Sequence, residues 1–207
     1  MRMLAVLPFL LTLAVPVDAQ DAAPKPAPAG VYLSDPAHTS LTWKISHFGL
    51  SNYTARFTGI KARLDWNPAE SAQSKLEVKV DPASVRTDFP FPEVEDFDRK
   101  IGMEPDFLAG KEIVFVARAI EVTGGATGKV TGDLTFRGET RPVTLDVRFN
   151  GSMAEHPMDK KPHLGFSATA TVRRTAWGLG FAVPVLGEDV EVLIETEFVP
   201  AEGEVGQ

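Results

Sequence analysis

The sequence TGDLTFRGETRPVTLDVRFNG, residues 131–151, decides the fold of this chain. Apolar residues recur at every second position on both sides of a central turn, which is the period of half-buried β-strands and not of a helix. Gly138 takes a positive φ at little steric cost, so we expect the turn at residues 137–140. Pro142 lacks a backbone N–H and fits the start of the second strand better than its middle. Because an isolated hairpin is marginal, this one needs partner strands to cover its apolar face.

The ends of the chain predict segments outside the fold. Arg2, the apolar run of residues 4–15 and the small residues before Gln20 form the pattern of a cleavable secretory signal peptide, residues 1–19. The run is short for a membrane span, although an uncleaved anchor is the alternative, and no second long apolar run follows. Residues 20–30 are rich in Pro and Ala and predict a flexible tail. We therefore expect a secreted domain at residues 31–199 without an integral membrane span, and a C-terminal tail at residues 200–207.

The composition excludes several classes of site. The chain has no cysteine, so it has no disulfide, no thiolate metal site and no cysteine nucleophile. Its formal net charge is −7, and Lys and Arg form no extended cluster. Nucleic-acid binding requires a basic surface, so we expect no nucleic acid as a partner.

Alternating apolar and polar residues recur along most of the chain. About eight such segments are separated mostly by short turns, which favours an antiparallel barrel or sandwich, and a barrel leaves no free sheet edge. The apolar positions change phase at Gly59, which predicts a bulge or sharp bend. Residues 92–108 differ, because Val94, Phe97 and Ile101 recur at helical spacing and Gly102 follows as a stop. The sequence predicts an all-β fold, an eight-stranded antiparallel β-barrel with one short helical insert.

Three segments resemble the YceI-like family of bacterial envelope proteins. They are DPAHTS with ISHFGLS and RFTG in residues 35–59, GDLTFRGETRPVTL at residues 132–145, and RTAWGLG at residues 174–180. The resemblance covers about residues 31–199 and implies a lipocalin-like barrel in the periplasm. It also implies that the lumen binds a polyisoprenoid or a similar long-chain or fatty amphiphile, with a quinone tail as one candidate. The insert departs from the family pattern, since it lacks the usual histidine-containing basic run.

The ligand-binding residues predicted for such a barrel are mostly apolar and lie on inward strand faces or near the mouth. A tunnel of about 30 Å, the length of strands of about ten residues, would suit an extended hydrocarbon chain. The same residues would also serve as a packed core, and both interpretations stay open. Small Ala168 and Ala170 beside Phe166 suggest free space, while Phe97, Ile101, Phe107 and Leu108 could form a lid. The predicted set is Trp43, Ile45, His47, Phe57, Phe97, Ile101, Phe107, Phe115, Phe136, Leu145, Phe166, Ala168, Trp177 and Phe181.

The histidines offer few catalytic or metal sites. A lone histidine such as His47 on an apolar strand face is most often a hydrogen-bonded core residue, although it could meet a ligand head group. The spacing of His156 and His163 matches no closed metal site, so we expect surface residues and no bound metal or cofactor. No catalytic sequence motif is present, which favours a carrier over an enzyme. The alternatives are an enzyme with His47 as acid–base group beside an Asp or Arg, and a packed barrel that acts by protein contact. The apolar loop at residues 181–186 permits a homodimer.

Overall fold

The computed structural model describes residues 25–202, and β-strands dominate them. The predicted signal peptide, the first residues of the Pro/Ala-rich segment and most of the C-terminal tail lie outside the described residues. One short helix, α1 at Phe97–Met103, interrupts the strands, and a 3₁₀ turn occupies Arg174–Trp177. The strands are β1 Gly30–Ser34, β2 Ser40–His47, β3 Ser51–Phe57, β4 Ile60–Trp66, β5 Lys75–Val80, β6 Val85–Arg86, β7 Ile113–Val122, β8 Thr127–Phe136, β9 Glu139–Met153, β10 His163–Arg173 and β11 Leu186–Pro200.

Eight strands close into an antiparallel barrel in the order β1-β4-β5-β7-β8-β9-β10-β11, and β11 pairs back onto β1. Strand β11 has 15 residues and pairs with two strands along one edge. Its last residues pair with β1, as in Leu33↔Val199, and its earlier residues pair with β2, as in Trp43↔Val192. Strands β2, β3 and β6 therefore extend the wall at one end of the barrel. The predicted all-β, eight-stranded antiparallel barrel with one short helical insert is confirmed.

The hairpin of β8 and β9 turns through two residues and not four. Arg137 and Gly138 both have positive φ, 53° and 83°, and pairing resumes at Phe136↔Glu139. Two positive φ values match the right-handed twist of the flanking strands. Pro142 pairs with Asp133 on β8, whereas β10 pairs with β9 only from Asp146 onwards. Pro142 thus lies where the other edge of β9 has no partner strand, which its missing N–H allows.

The phase change at Gly59 corresponds to a sharp bend between β3 and β4. A Cβ atom on Gly59 would lie 2.8 Å from the Cβ atom of Ser84, so the chain needs glycine where it passes the turn before β6. The predicted bend is confirmed. It directs β3 towards the extended wall and β4 into the closed ring.

Helix α1 begins later than the predicted helix, which started near Pro92 and stopped at Gly102, and it ends one residue further on, at Met103. Asp96 caps it, accepting a hydrogen bond of 3.0 Å from the Arg99 N–H. Val94 lies outside the helix with 77% of its surface exposed, so its helical spacing does not result from packing against the barrel. Gly102 lies within the helix. A Cβ atom at this position would lie 2.6 Å from the Pro82 carbonyl oxygen, so the close contact requires a glycine here. The glycine thus allows the helix to pack closely on the segment before β6.

Two hydrophobic clusters lie at different levels of the barrel. One surrounds Tyr32, Leu64, Leu164 and Phe198 and fills the end where β1 meets β11. The other lies under α1 and contains Phe57, Val80, Val85 and Leu108. We refer to the first as the packed end of the barrel.

Residues 25–28, which the sequence assigns to a flexible tail, contact the packed end. Ala27 is buried in its cluster, and its N–H donates to Ser152 Oγ at 3.2 Å. The Pro28 carbonyl accepts from the Tyr32 hydroxyl at 2.8 Å, and the Lys25 carbonyl accepts from the Ala154 N–H at 2.7 Å. The proline- and alanine-rich composition predicted a flexible tail. Composition alone cannot show that such a segment packs against the end of a barrel.

Candidate functional site

The half of the barrel opposite the packed end encloses an apolar cavity of about 710 Å³. Strand β2 lines it from Leu41 to His47, six residue steps or about 20 Å at the usual rise of a strand. Strand β11 lines it from Leu186 to Ile194 on the same side. The volume lies within the range of small-molecule sites, about 300–1,000 Å³. The lumen is therefore not fully packed, which removes the premise of the packed-barrel alternative.

Eleven of the fourteen predicted ligand-binding residues line this cavity. The inward faces of the strands bring them together, because alternate side chains of a strand point to the same face. Strands supply seven of the eleven, helix α1 and the following turn supply three, and the loop before β11 supplies one. The eleven are Trp43, Ile45, His47, Phe57, Phe97, Ile101, Phe107, Phe115, Phe136, Leu145 and Phe181. Whether they contact a ligand stays a prediction.

Phe166 and Ala168 do not line the cavity. The Phe166 ring lies 5.2 Å from Phe149 and 5.9 Å from Trp66, within the packed end, and Ala168 is buried. Ala170, two residues further along β10, does line the cavity. The cavity is therefore a blind pocket lined along about 20 Å of strand, and not the tunnel of about 30 Å that the strand lengths suggested.

Trp177 supports the cavity wall from behind. It is 4% exposed, its indole N–H donates to the Glu139 carbonyl at 3.0 Å, and its ring lies 6.1 Å from Phe136. The sequence predicted a ligand contact at this position. Trp177 does not line the cavity, and its contacts fix the start of β9 and the orientation of Phe136.

Several lining residues were absent from the predicted set. Val190, Val192 and Ile194 alternate along β11, and their period was visible in the sequence, but nothing distinguished them from core residues. Phe89 also lines the cavity and lies in an irregular segment without periodicity. Its ring packs 5.2 Å from Phe97. No pattern in the sequence could have identified Phe89.

Helix α1 and two loops form the mouth. Phe107 and Phe181 face each other across it with ring centroids 5.2 Å apart. Arg137, in the β8–β9 turn, donates hydrogen bonds to the Pro105 carbonyl at 2.8 Å and to the Phe107 carbonyl. The segment after α1 is thereby attached to the β8–β9 hairpin. Phe181 is exposed, and a homodimer through its loop stays a prediction.

His47 lies exposed at the mouth and is not a core residue. It occupies the last position of β2, where the wall ends, and its ring contacts Phe48 with centroids 4.7 Å apart. Within residues 25–202, no side chain forms a hydrogen bond or ion pair with the His47 ring. The acid–base pair that an enzyme would need at this position is not assembled in the described residues.

Five side chains with polar atoms line the cavity, and none is acidic among the described residues: His47, Tyr53, Lys100, Arg174 and Trp43, whose buried indole Nε1 has no hydrogen-bond partner among residues 25–202. Burial raises the pKa of Tyr53, whose hydroxyl donates to the Thr87 carbonyl at 3.4 Å. The hydrogen bond to Glu95, at 2.5 Å, raises the pKa of Lys100. The cavity therefore suits a neutral or anionic amphiphile better than a cationic one.

Arg174 is the most buried of these polar residues. Its guanidinium donates to the carbonyl oxygens of Gly187, Leu179 and Leu186 at 2.7, 2.8 and 3.1 Å. Burial lowers the pKa of Arg174. The three bonds hold the loop between β10 and β11 at the edge of the mouth, so this cation both shapes the opening and contributes positive charge to it.

A model of the family described as YceI-like domain matches residues 32–198. The UPF0312 protein of Pseudomonas putida strain GB-1 is 34% identical over 145 residues, which cover 69% of this chain and 71% of that protein. The UPF0312 protein of Staphylococcus aureus strain USA300 is 30% identical over 173 residues, covering 79% and 94%.

Solved structures share the fold. The YceI protein of Campylobacter jejuni superposes with a TM-score of 0.64 at 28% identity, over 76% of this chain and 90% of that one. Burkholderia cenocepacia BcnA gives 0.67 at 20% identity, over 79% and 98%. A polyisoprenoid-binding domain from Saccharophagus degradans gives 0.55 at 12% identity, over 84% and 99%.

Proposed function

This chain belongs to the YceI-like family, and we propose that it is a periplasmic carrier that holds a polyisoprenoid or similar long-chain amphiphile in its barrel cavity. The observation that carries the proposal is the blind cavity of about 710 Å³, lined almost entirely by apolar side chains. Each CH₂ group of a ligand buried there gains about 0.8 kcal/mol before the cost of ordering the chain. A flexible hydrocarbon chain would fill such a pocket from the mouth inwards.

The polar residues support a defined orientation of the ligand. His47, Lys100 and Arg174 lie on the cavity wall, whereas the deep wall around Leu41 and Ile194 is apolar. An amphiphile would therefore insert its tail and keep a neutral or anionic head group near the mouth. A quinone head group, with its carbonyl acceptors, is compatible with these donors.

The comparisons support the ligand class. The Saccharophagus degradans domain that shares the fold is described as polyisoprenoid-binding. A carrier role, as opposed to an enzymatic one, is supported by the exposed position of His47, which has no acid–base partner among residues 25–202. No helix within those residues is long and apolar enough to cross a membrane.

Native mass spectrometry of the purified protein, followed by organic extraction, tests the binding proposal. We expect an adduct that is released by extraction and identified as an isoprenoid chain with or without a quinone head. Binding of an added fluorescent isoprenoid by the extracted protein provides the second measurement. Absence of both the adduct and probe binding would contradict the proposal.

Cell fractionation and N-terminal sequencing test the location. The signal sequence predicts that the mature chain begins at Gln20 and is released by osmotic shock. A chain that retains Met1 and fractionates with the cytoplasm would rule out the periplasmic part of the proposal without affecting the ligand.

A further inference from the structure

Histidine and acidic side chains gather at the packed end of the barrel, far from the cavity. His156 and Asp159 lie in the loop between β9 and β10, and His163 is the first residue of β10. The ligand-capable atoms of these three residues all lie within 4.8 Å of one another. We refer to them as the loop cluster.

The distances within the loop cluster are close to those of a metal site. Asp159 Oδ1 lies 3.4 Å from His156 Nδ1, and Asp159 Oδ2 lies 3.1 Å from His163 Nε2. A tetrahedral Zn²⁺ with ligands at about 2.0–2.1 Å separates those ligand atoms by about 3.3–3.4 Å. Small side-chain shifts together with a rotation of one histidine ring would therefore bring all three into one coordination sphere.

His163 carries the strongest indication of a bound cation. It is 8% exposed, and carboxylates face both of its ring nitrogens, Glu197 at 3.3 Å from Nδ1 and Asp159 at 3.1 Å from Nε2. A neutral imidazole has a single N–H donor and satisfies only one of them. A metal ion on Nε2 would satisfy Asp159, while Nδ1–H donates to Glu197. This is the carboxylate–histidine–metal arrangement that orients many metal-binding histidines.

The two histidine rings stack on each other, with centroids 4.2 Å apart and an interplanar angle of 23°. A metal binds the lone pair in the plane of an imidazole ring, so one ring must turn out of the stack before both histidines bind the same ion in their neutral form. His156 Nδ1 faces the Met158 N–H at 3.4 Å, an orientation in which its lone pair accepts and a metal could replace the weak donor.

Hydrogen bonds within the loop hold the ligands in place. The His156 N–H donates to the Lys161 carbonyl at 2.8 Å, and the Lys160 N–H donates to the His156 carbonyl at 2.9 Å. The Lys161 N–H donates to Asp159 Oδ1 at 3.1 Å and orients that carboxylate. The loop backbone and the Asp159 carboxylate are therefore ordered before an ion binds, which favours affinity.

We propose that His156, Asp159 and His163 bind a divalent transition metal ion, with zinc as the best fit, and that Glu197 orients His163. Imidazole and carboxylate ligands suit zinc, and three protein ligands leave the fourth tetrahedral position open to water. The ion would join the β9–β10 loop to the first residue of β10, and Glu197 would connect His163 to β11 next to the point where β11 closes the barrel on β1. Sequence spacing alone did not reveal this site, because the conformation of the loop brings the three ligands together and only the pairing of β10 with β11 places Glu197 beside His163.

Isothermal titration of the untagged, EDTA-treated protein with ZnCl₂ tests the site. We expect one Zn²⁺ per chain, a binding constant at least about tenfold weaker in His156→Gln and Asp159→Asn, and no change in His47→Gln. Both altered residues are loop side chains that are not buried, and circular dichroism checks that the variants fold. The extracted and the lipid-loaded protein should bind zinc alike, which separates this site from the cavity.

Three outcomes would overturn the assignment. One is no binding by the unaltered protein at Zn²⁺ concentrations of about 100 μM. Another is wild-type affinity in both His156→Gln and Asp159→Asn. The third is loss of binding in His38→Gln with retention in the loop variants, which would move the ion to Asp35, His38 and Glu197, a neighbouring group that also has ligand spacing.

Discussion

At the scale of single residues, Gly132 is a position where the hairpin sequence is constrained by a partner strand. Its backbone passes under the Phe115 ring, and a Cβ atom there would lie 2.5 Å from both Phe115 Cζ and the Val116 carbonyl oxygen. The alternation around Gly132 predicts a strand but not this close approach. Phe115 also lines the cavity, so Gly132 fixes the position of part of the cavity wall.

Substitution Gly132→Ala should lower the free energy of unfolding by about 1–3 kcal/mol, because the added methyl group overpacks the β7–β8 contact. Urea denaturation measures the change. Gly125→Ala is the matched control, since no atom lies within 4 Å of a Cβ added there, and its effect should stay within about 0.5 kcal/mol. Equal stability of the two variants would show that β7 and β8 adjust to the added methyl group without an energetic cost.

Arg174 and its neighbour Arg173 show how differently two adjacent arginines act. Arg174 is buried and bonds three backbone carbonyls of the mouth loop, whereas Arg173 is exposed and faces Asp189 at 3.3 Å. Lysine cannot reproduce the planar fork of a guanidinium. The geometry of the fork therefore matters at one position and not at the other.

Substitution Arg174→Lys should destabilise the protein by about 2–3 kcal/mol, because buried carbonyls lose charged donors. Amide hydrogen exchange should accelerate at residues 179–187, which the guanidinium holds in place. Arg173→Lys, an exposed ion-pair change, should cost less than about 0.5 kcal/mol and leave the exchange unchanged. Unaltered exchange in Arg174→Lys would mean that other contacts hold the loop.

At the scale of elements, α1 shows which part of a helix the sequence determines. Phe97 and Ile101 have helical spacing, and both face the cavity, so the pattern correctly indicated a helix. Its predicted start was wrong because Val94 matched the period by chance, whereas the helix ends one residue after Gly102, a glycine that also serves a contact with Pro82 that no local pattern encodes. A helix of seven residues is too short to be stable alone, so tertiary contacts define its ends.

The contact between Asp98 and Thr87 attaches α1 to the segment after β6. Asp98 Oδ1 accepts from the Thr87 N–H at 2.7 Å and from the Thr87 hydroxyl at 2.6 Å, and Thr87 is buried. Asp98→Ala leaves both donors unsatisfied and should cost about 1–3 kcal/mol. Hydrogen exchange should show α1 opening more often, while Asp106→Ala, on the exposed turn after the helix, should behave like the unaltered protein. If α1 exchanges equally slowly in both variants, this contact does not hold the helix.

At the scale of the whole molecule, sequence alternation predicts which residues face inwards but not how the interior is divided. Phe136 and Phe166 both point inwards, but Phe136 ends β8 and lines the cavity, whereas Phe166 lies near the start of β10 and belongs to the packed end. There Phe149 and Phe198 from the two neighbouring strands and Trp66 from β4 supply aromatic rings that meet Phe166. Such complementarity joins distant parts of the chain, and periodicity within one strand cannot show it.

The boundary between the two halves offers a test of how the cavity functions. Ala170 lines the cavity from β10, while Thr169, one position earlier, points to solvent. A tryptophan at position 170 would project into the space that the proposed amphiphile occupies, whereas one at position 169 would lie outside the barrel. The two substitutions add the same side chain to opposite faces of one strand.

A ligand that binds the folded protein at 100 times its dissociation constant stabilises it by about 2.7 kcal/mol. Addition of an isoprenoid to the extracted protein should therefore raise the Tm of the unaltered protein and of Thr169→Trp. In Ala170→Trp the rise should be largely lost, because the indole fills the pocket, while the Tm without ligand stays close to that of the unaltered protein. A full ligand-induced rise in Ala170→Trp would show that the amphiphile binds elsewhere. A loss in both variants would point to a general effect of tryptophan on β10 and not to the cavity.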